Sequence, residues 1–299
     1  MPQSPTPGRL FCFGLGFSAT ALARRLLDAG WQVAGTCRTA EKAAALRAQG
    51  IEAYVFSPDQ PLERGALAGT THLLDSVPPT AEGDRVLATL TPDILALPNL
   101  RWVGYLSTTG VYGNKDGGWV DESAPVQPAT ERGKARAVAE AQWMALHDAH
   151  GLPVHRFRLP GIYGPGRSAL DQMRAGTARR VDKKGQVFSR IHIHDLGSAL
   201  MASMERPNPG AIYNVADDHP CPSPDVVTYA AELLGLEPPP LVPFEQADLS
   251  PMATSFYGEN KRISNARLKA ELGVTLRYPS YREGLADQLA AELAIGRRT

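Results

Sequence analysis

Along its first half the chain alternates short apolar runs with longer amphipathic stretches. "RLFCF" (9–13) predicts a buried strand, and "SATALARRLLDAG" (18–30) predicts a helix that stops at Gly30. "WQVAGTC" (31–37), "IEAYVF" (51–56), "THLLDSV" (71–77) and "RWVGYLS" (101–107) predict further strands. Helical patterns lie between them at "AEKAAALRAQG" (40–50) and "PDILALP" (92–98). Strands that alternate with helices predict an α/β fold, with a parallel sheet wound by right-handed crossovers on both faces. The pattern continues in "LPVHRFRL" (152–159) and "AIYNV" (211–215), now interrupted by Gly/Pro-rich loops. "LEPPPLVPFEQADLSP" (236–251) reads as a long connection leading into a smaller C-terminal lobe. The expected division is a tail at 1–8, a nucleotide-binding domain at 9–160 plus about 187–217, and a small lobe from about 161–186 and 218–299.

Composition narrows the function classes. The 299 residues suffice for a sizeable core, and 31 basic residues balance 31 acidic ones. Zero net charge argues against a general electrostatic grip on nucleic acid or on an anionic membrane. No apolar run approaches the ~20 residues that span a bilayer. Cys12, Cys37 and Cys221 lie far apart without metal-ligand spacing, which predicts a reducing cytoplasm and no metal site.

The first candidate chemistry follows the first strand. "FCFGLGFSATALA" (11–23) sets Gly14, Gly16 and Ala19 in a G-x-G-x-x-A frame at a strand-to-helix turn. The first glycine allows the tight turn, the second admits a pyrophosphate against the backbone, and the small third residue lets helix pack on strand. The free N–H groups of the helix then face the phosphates. Leu15, Phe17 and Ser18 complete this loop. The second strand ends "GTCRTAEK" (35–42), with Arg38 where an NAD-selective fold carries an acid. A guanidinium there pairs with a 2′-phosphate, so NADP is expected over NAD.

Four later segments carry a family resemblance. "YLSTTGVYG" (105–113), "RLPGIYGPGR" (158–167), "SRIHIHDL" (189–196) and "AIYNVAD" (211–217) resemble, in order and spacing, motifs of the extended short-chain dehydrogenase/reductases, the NAD(P)-dependent sugar epimerase/dehydratase group. "NKRISNARLKAELGVTLRYPSYREGL" (260–285) is similar to an atypical branch labelled nucleoside-diphosphate-sugar epimerase-like. The resemblance implies a Rossmann fold and an oxidoreductase or epimerase-like activity on a small molecule. It also implies cofactor contacts from Ser76, Val77, Pro78 and Pro160, and a catalytic hydroxyl at Thr108. An alternative activity is a non-catalytic NADPH-binding sensor.

In that group a helix carries Y-[GA]-x-S-K, with Glu four residues after the Lys. Here "RGKAR" (132–136) fits the frame, so Arg132 stands at the Tyr position, Arg136 at the Lys position and Glu140 at the Glu position. The i, i+4 spacing puts the three on one helix face. A second register uses Thr130 and Lys134 and loses the glycine and Glu matches. Arginine holds its proton and cannot act as the general base. It can hold a phosphate, a carboxylate or an oxyanion, which points to an anionic substrate. Arg136 is expected at the nicotinamide ribose or in a salt bridge to Glu140. Tyr112, Tyr163 and His192 are alternative proton donors, each also explicable as packing. His194 and Asp195 are expected to cap or orient the helix that follows. The Ala-rich helix 134–149 fits either a homodimer contact or burial within one chain.

Overall fold

The computed structural model describes residues 7–57 and 59–296, so most of the expected 1–8 tail lies outside the described residues. The first half runs β1 (Arg9–Phe13), α1 (Phe17–Asp28), β2 (Gln32–Cys37), α2 (Ala40–Arg47), β3 (Glu52–Val55), β4 (His72–Asp75) and α3 (Leu87–Leu95). It continues through β5 (Trp102–Thr108), a 3₁₀ turn (Thr109–Tyr112), β6 (Trp119–Val120), α4 (Glu131–His150) and β7 (Val154–Leu159). Then come β8 (Gly161–Tyr163), α5 (Ala169–Arg174), β9 (Arg180–Asp182), β10 (Arg190–His192), α6 (Ile193–Glu205) and β11 (Ile212–Asn214). The remainder is α7 (Ser223–Leu234), β12 (Leu241–Pro243), α8 (Pro251–Tyr257), β13 (Arg262–Ile263), α9 (Ala266–Leu272) and α10 (Tyr281–Gly296).

Seven strands form one sheet in the order β11-β7-β5-β4-β1-β2-β3, and every pairing is parallel. The order reverses beside β1, so the carboxyl ends of β1 and β4 open a crevice of the kind where doubly wound sheets take their ligands. One core cluster packs Leu10, Leu22, Leu26, Leu196 and Leu200 between the sheet and helices α1 and α6. On the other face Phe11, Phe13, Val103 and Tyr105 pack with Ile94, Ala139 and Trp143 from α3 and α4. The apolar side of α4 is therefore buried within this chain, through Ala135, Ala139 and Trp143.

Two expectations about elements need correcting. The helix foreseen at 92–98 is α3, Leu87–Leu95, with Pro92 inside it. Its start lies upstream because the Asp84 carboxylate accepts the N–H groups of Val86 and Leu87, at 2.8 and 2.9 Å. The Pro-rich 236–251 segment is not a plain connection, since β12 within it pairs with β9. Proline suits this strand because an edge position needs no ladder donor on one side.

Three small parallel pairs hold the second half together: β8 with β10, β9 with β12, and β6 with β13. Asp195, buried on α6, accepts the backbone N–H groups of Arg277 and Tyr278, both at 2.9 Å. His192 rather than His194 caps α6, accepting the N–H of His194 through Nδ1 at 3.1 Å. No helix among the described residues is long and apolar enough to cross a membrane.

Candidate active site

The glycine loop is held from behind. Gly14 has φ +81° and donates its N–H to Thr36 Oγ1 at 2.9 Å. Its carbonyl accepts the Ser76 hydroxyl at 2.5 Å, so the end of β4 latches the turn after β1. A side chain at Gly14 would meet Ser76 Oγ at 3.1 Å and Val77 Cγ2 at 3.2 Å. Gly16 differs: a Cβ there would have only the Gly14 carbonyl near it, at 3.9 Å. Gly16 caps α1 without a side-chain bond, and the first turn carries no acid. The leading N–H groups of the helix thus face an open space with a positive dipole end. The loop fits a pyrophosphate. The side chains of Leu15 and Ala19 belong to the core, and the Leu15 N–H donates to the Thr36 carbonyl at 2.7 Å, which fixes the loop against β2.

At the end of β2, Arg38 is exposed and makes no ion pair among the described residues. Its neighbour Thr39 caps α2 through the N–H of Lys42. Pro78 is exposed and Val77 half-buried beside the glycine loop.

A cleft of about 220 Å³ lies at the carboxyl ends of β5 and β7. Thr108 and Gly110, Thr130 and Arg132, Leu159 and Pro160 form one wall. Arg167, Ser189, Phe256, Glu259, Lys261 and Ile263 contribute to the other. Thr108 Oγ1 accepts the N–H of Gly110 at 3.1 Å, capping the 3₁₀ turn, and the hydroxyl keeps its own proton to donate. Thr130 caps α4 in the same way, accepting from Gly133 at 3.1 Å. The Arg132 guanidinium stacks over Phe256 of α8, 4.6 Å from the ring centroid, and so spans the cleft. Lys134, the lysine of the second register, is exposed and pairs with Glu131. Arg167 lies 5.6 Å from the Phe17 ring centroid, which joins the cleft to the glycine loop.

Arg136 points to the sheet instead. Its Nη1 donates to the Leu106 carbonyl at 2.7 Å and to the Tyr105 hydroxyl at 3.1 Å. No salt bridge to Glu140 forms, because Glu140 is buried and taken by Arg158. The bonds there are 2.6 and 3.0 Å, with Ser107 donating to the same carboxylate at 2.5 Å. Beside Arg136, burial and the neighbouring Asp84 carboxyl hold the Asp75 carboxyl well above the usual carboxylate range.

The three alternative proton donors are all engaged elsewhere. Tyr112 is fully buried and donates to Asn214 Oδ1 at 2.8 Å, and Tyr163 donates to the Ser280 carbonyl at 3.1 Å. Burial pushes His192 down to about 4, and none of the three lines the cleft. Sequence reasoning missed Arg167, Glu259 and Lys261. The segment "GENKR" (258–262) carried a charge pattern, but nothing local said that it returns to β6.

A sequence model of the NAD dependent epimerase/dehydratase family matches residues 93–216. The chain is 31% identical over 280 residues to Protein YeeZ of Escherichia coli (strain K12), covering 89% of this chain and 94% of that protein. Among solved structures it is similar to a conserved protein of unknown function from Silicibacter pomeroyi DSS. That likeness has 51% identity, a TM-score of 0.88 and coverage of 95% and 99% of the two chains. The fold is also that of the UDP-glucuronic acid 4-epimerase from Bacillus cereus in complex with NAD. There the identity is 16%, the TM-score 0.76 and the coverage 94% and 96%.

Proposed function

The chain belongs to the NAD dependent epimerase/dehydratase family, and on that premise we propose that it is an NADP(H)-dependent oxidoreductase or epimerase-like enzyme acting on a small anionic substrate. The observation that carries this reading is the meeting of three cations, Arg132, Arg167 and Lys261, in one cleft beside the Thr108 hydroxyl. Cations in a partly dry cleft favour a phosphoryl or carboxylate group, and a sugar nucleotide carries such groups. Gly14, Gly16 and the first turn of α1 would hold the cofactor pyrophosphate. Arg38, without an ionic partner among the described residues, supports a 2′-phosphate on the adenosine ribose. When bound, the nicotinamide supplies a hydride acceptor or donor. Thr108 orients a substrate oxygen through its free hydroxyl proton, and Arg132 neutralises charge on the substrate. The free, buried cysteines support a reducing, cytoplasmic setting.

A second reading, NADPH binding without turnover, draws on the Arg132 side chain, which occupies the cleft and cannot exchange a proton. The test is calorimetric titration of the full chain with NADPH and with NADH. A panel of NADPH-oxidation and epimerisation assays on uridine and thymidine diphosphate sugars follows. Micromolar NADPH binding with turnover supports the enzyme. NADPH binding with no turnover across the panel supports the sensor, and no binding of either cofactor removes both.

A further inference from the structure

Of the charged side chains that line the cleft, two are arginines, which stay protonated at any working pH. The serine and threonine hydroxyls titrate far above neutrality. Glu259 and Lys261 remain as the lining groups able to gain and lose a proton. They are also partners: Lys261 Nζ forms an ion pair with Glu259 Oε2, and the two side chains are 9% and 11% exposed.

The pair is held on all sides. Lys261 Nζ also donates to the Gly113 carbonyl at 2.8 Å, at the end of the segment that carries Thr108 and the 3₁₀ turn. The Glu259 carbonyl accepts Gln186 Nε2 at 2.8 Å. The Asn260 carbonyl accepts the N–H groups of Lys115 and Gly117, each at 3.0 Å, and Arg262 and Ile263 pair with β6. Side chains on such a braced segment sit in fixed positions, as proton transfer requires. Two hydrogen-bonding groups are left over. Lys261 has three donors and spends two. Glu259 Oε1 is buried and has no hydrogen-bond partner among the described residues. The third Lys261 donor suits the oxygen of a substrate hydroxyl, or of the carbonyl made from it, while Glu259 holds the amine in place.

We propose that Lys261, oriented by Glu259, is the proton-transferring residue of this cleft. In a reduction, the substrate carbonyl carbon gains hydride from reduced nicotinamide while its oxygen gains a proton from Lys261 Nζ. The products are an alcohol, oxidised nicotinamide and a neutral amine, which regains a proton from water. Oxidation runs the same steps in reverse, with the neutral amine taking the hydroxyl proton. Burial holds the Lys261 amine below the usual lysine range; Glu259 pulls it up and Lys115 pushes it down.

This inference rests on the nicotinamide-dependent reading above, and its test separates the two. The full chain, labelled with ¹³C at lysine Cε, is titrated by NMR with and without saturating NADPH. The Lys261 signal is the one lost in Lys261→Arg, or in Lys261→Gln if the arginine variant does not fold. Lys261 is expected to titrate at least one pH unit below the exposed lysines, and lower again in Glu259→Gln. Titration with or above the exposed lysines, or no response to Glu259→Gln, overturns the proposal and leaves a structural ion pair. In the turnover panel Lys261→Arg is expected to lower kcat about 100-fold or more with little change in KM. An unchanged kcat likewise overturns it. Loss of NADPH binding in the parent chain would fault the cofactor reading alone, because the Lys261 midpoint is read without cofactor.

Discussion

Arg158 of β7 and Glu140 of α4 face one another in the interior, Nη2 2.6 Å from Oε2 and Nε 3.0 Å from Oε1, with neither side chain more than 5% exposed. The Arg158 guanidinium also lies 4.7 Å from the Tyr112 ring centroid. This pair joins the helix that carries Arg132 to the strand that leads into Pro160. It therefore sets the spacing between two parts of the cleft wall. Breaking one half leaves the other as an unpaired buried charge. Glu140→Ala is expected to cost about 3–5 kcal/mol, read from urea unfolding. A loss below about 1 kcal/mol would mean that water reaches Arg158.

Arg38 provides the cofactor test. Arg38→Ala is expected to weaken NADPH binding about 10- to 100-fold, the worth of a charge-assisted pair, and to leave NADH affinity within about twofold. Isothermal calorimetry on the two cofactors measures both. Equal loss for NADH would place Arg38 at the adenine or the diphosphate rather than the 2′-phosphate.

The two loop glycines should separate folding from binding. Gly14→Ala puts a side chain at φ +81° against Ser76 and Val77, so a stability loss of about 1–3 kcal/mol is expected. Gly16→Val adds bulk where the fold itself has open space. Its Tm is expected within about 2 °C of the parent, while NADPH affinity falls at least tenfold. A variant with both intact Tm and intact affinity would show that the pyrophosphate lies elsewhere.

Asp217 gives a pH signature. Burial raises its carboxyl to about 7, against about 4 in the unfolded chain, and its Oδ2 has no hydrogen-bond partner among the described residues. Between those values the folded state binds the extra proton, so this group's contribution to stability falls as pH rises from about 4 to 7. Asp217→Asn is expected to stabilise the protein relative to the parent at pH 8 more than at pH 4.5, by roughly 1–3 kcal/mol of difference. Urea unfolding at the two pH values checks the sign, and a constant difference would refute it.

The seven sheet strands were legible because each is a mostly apolar run with turn residues at its ends, although the edge strand β3 is only partly buried. The glycine loop was legible because its constraint is local: a turn, an open approach and a helix start within six residues. The arginine frame of α4 was legible as a spacing, but the partner of Glu140 was not. Nothing in the helix says that Arg158, on another element, reaches the carboxylate before Arg136 can. β6 and β13 have two residues each, too few for any periodicity. Lys261 meets Gly113 only because those short strands pair, so its place in the cleft is a long-range property.

Those short pairings bear on biosynthesis. The seventh strand of the sheet ends at Asn214, whereas the cleft wall that carries Glu259, Lys261 and Ile263 is encoded well after it. At roughly 5–20 residues per second, a ribosome spends several seconds between the two, long enough for the sheet and its glycine loop to fold first. A nascent chain in that interval has the glycine loop but lacks Phe256, Glu259, Lys261 and Ile263 of the cleft. On the proposed function, cofactor would load before the cleft is complete, and turnover would wait until Lys261 has been read and β13 has paired with β6.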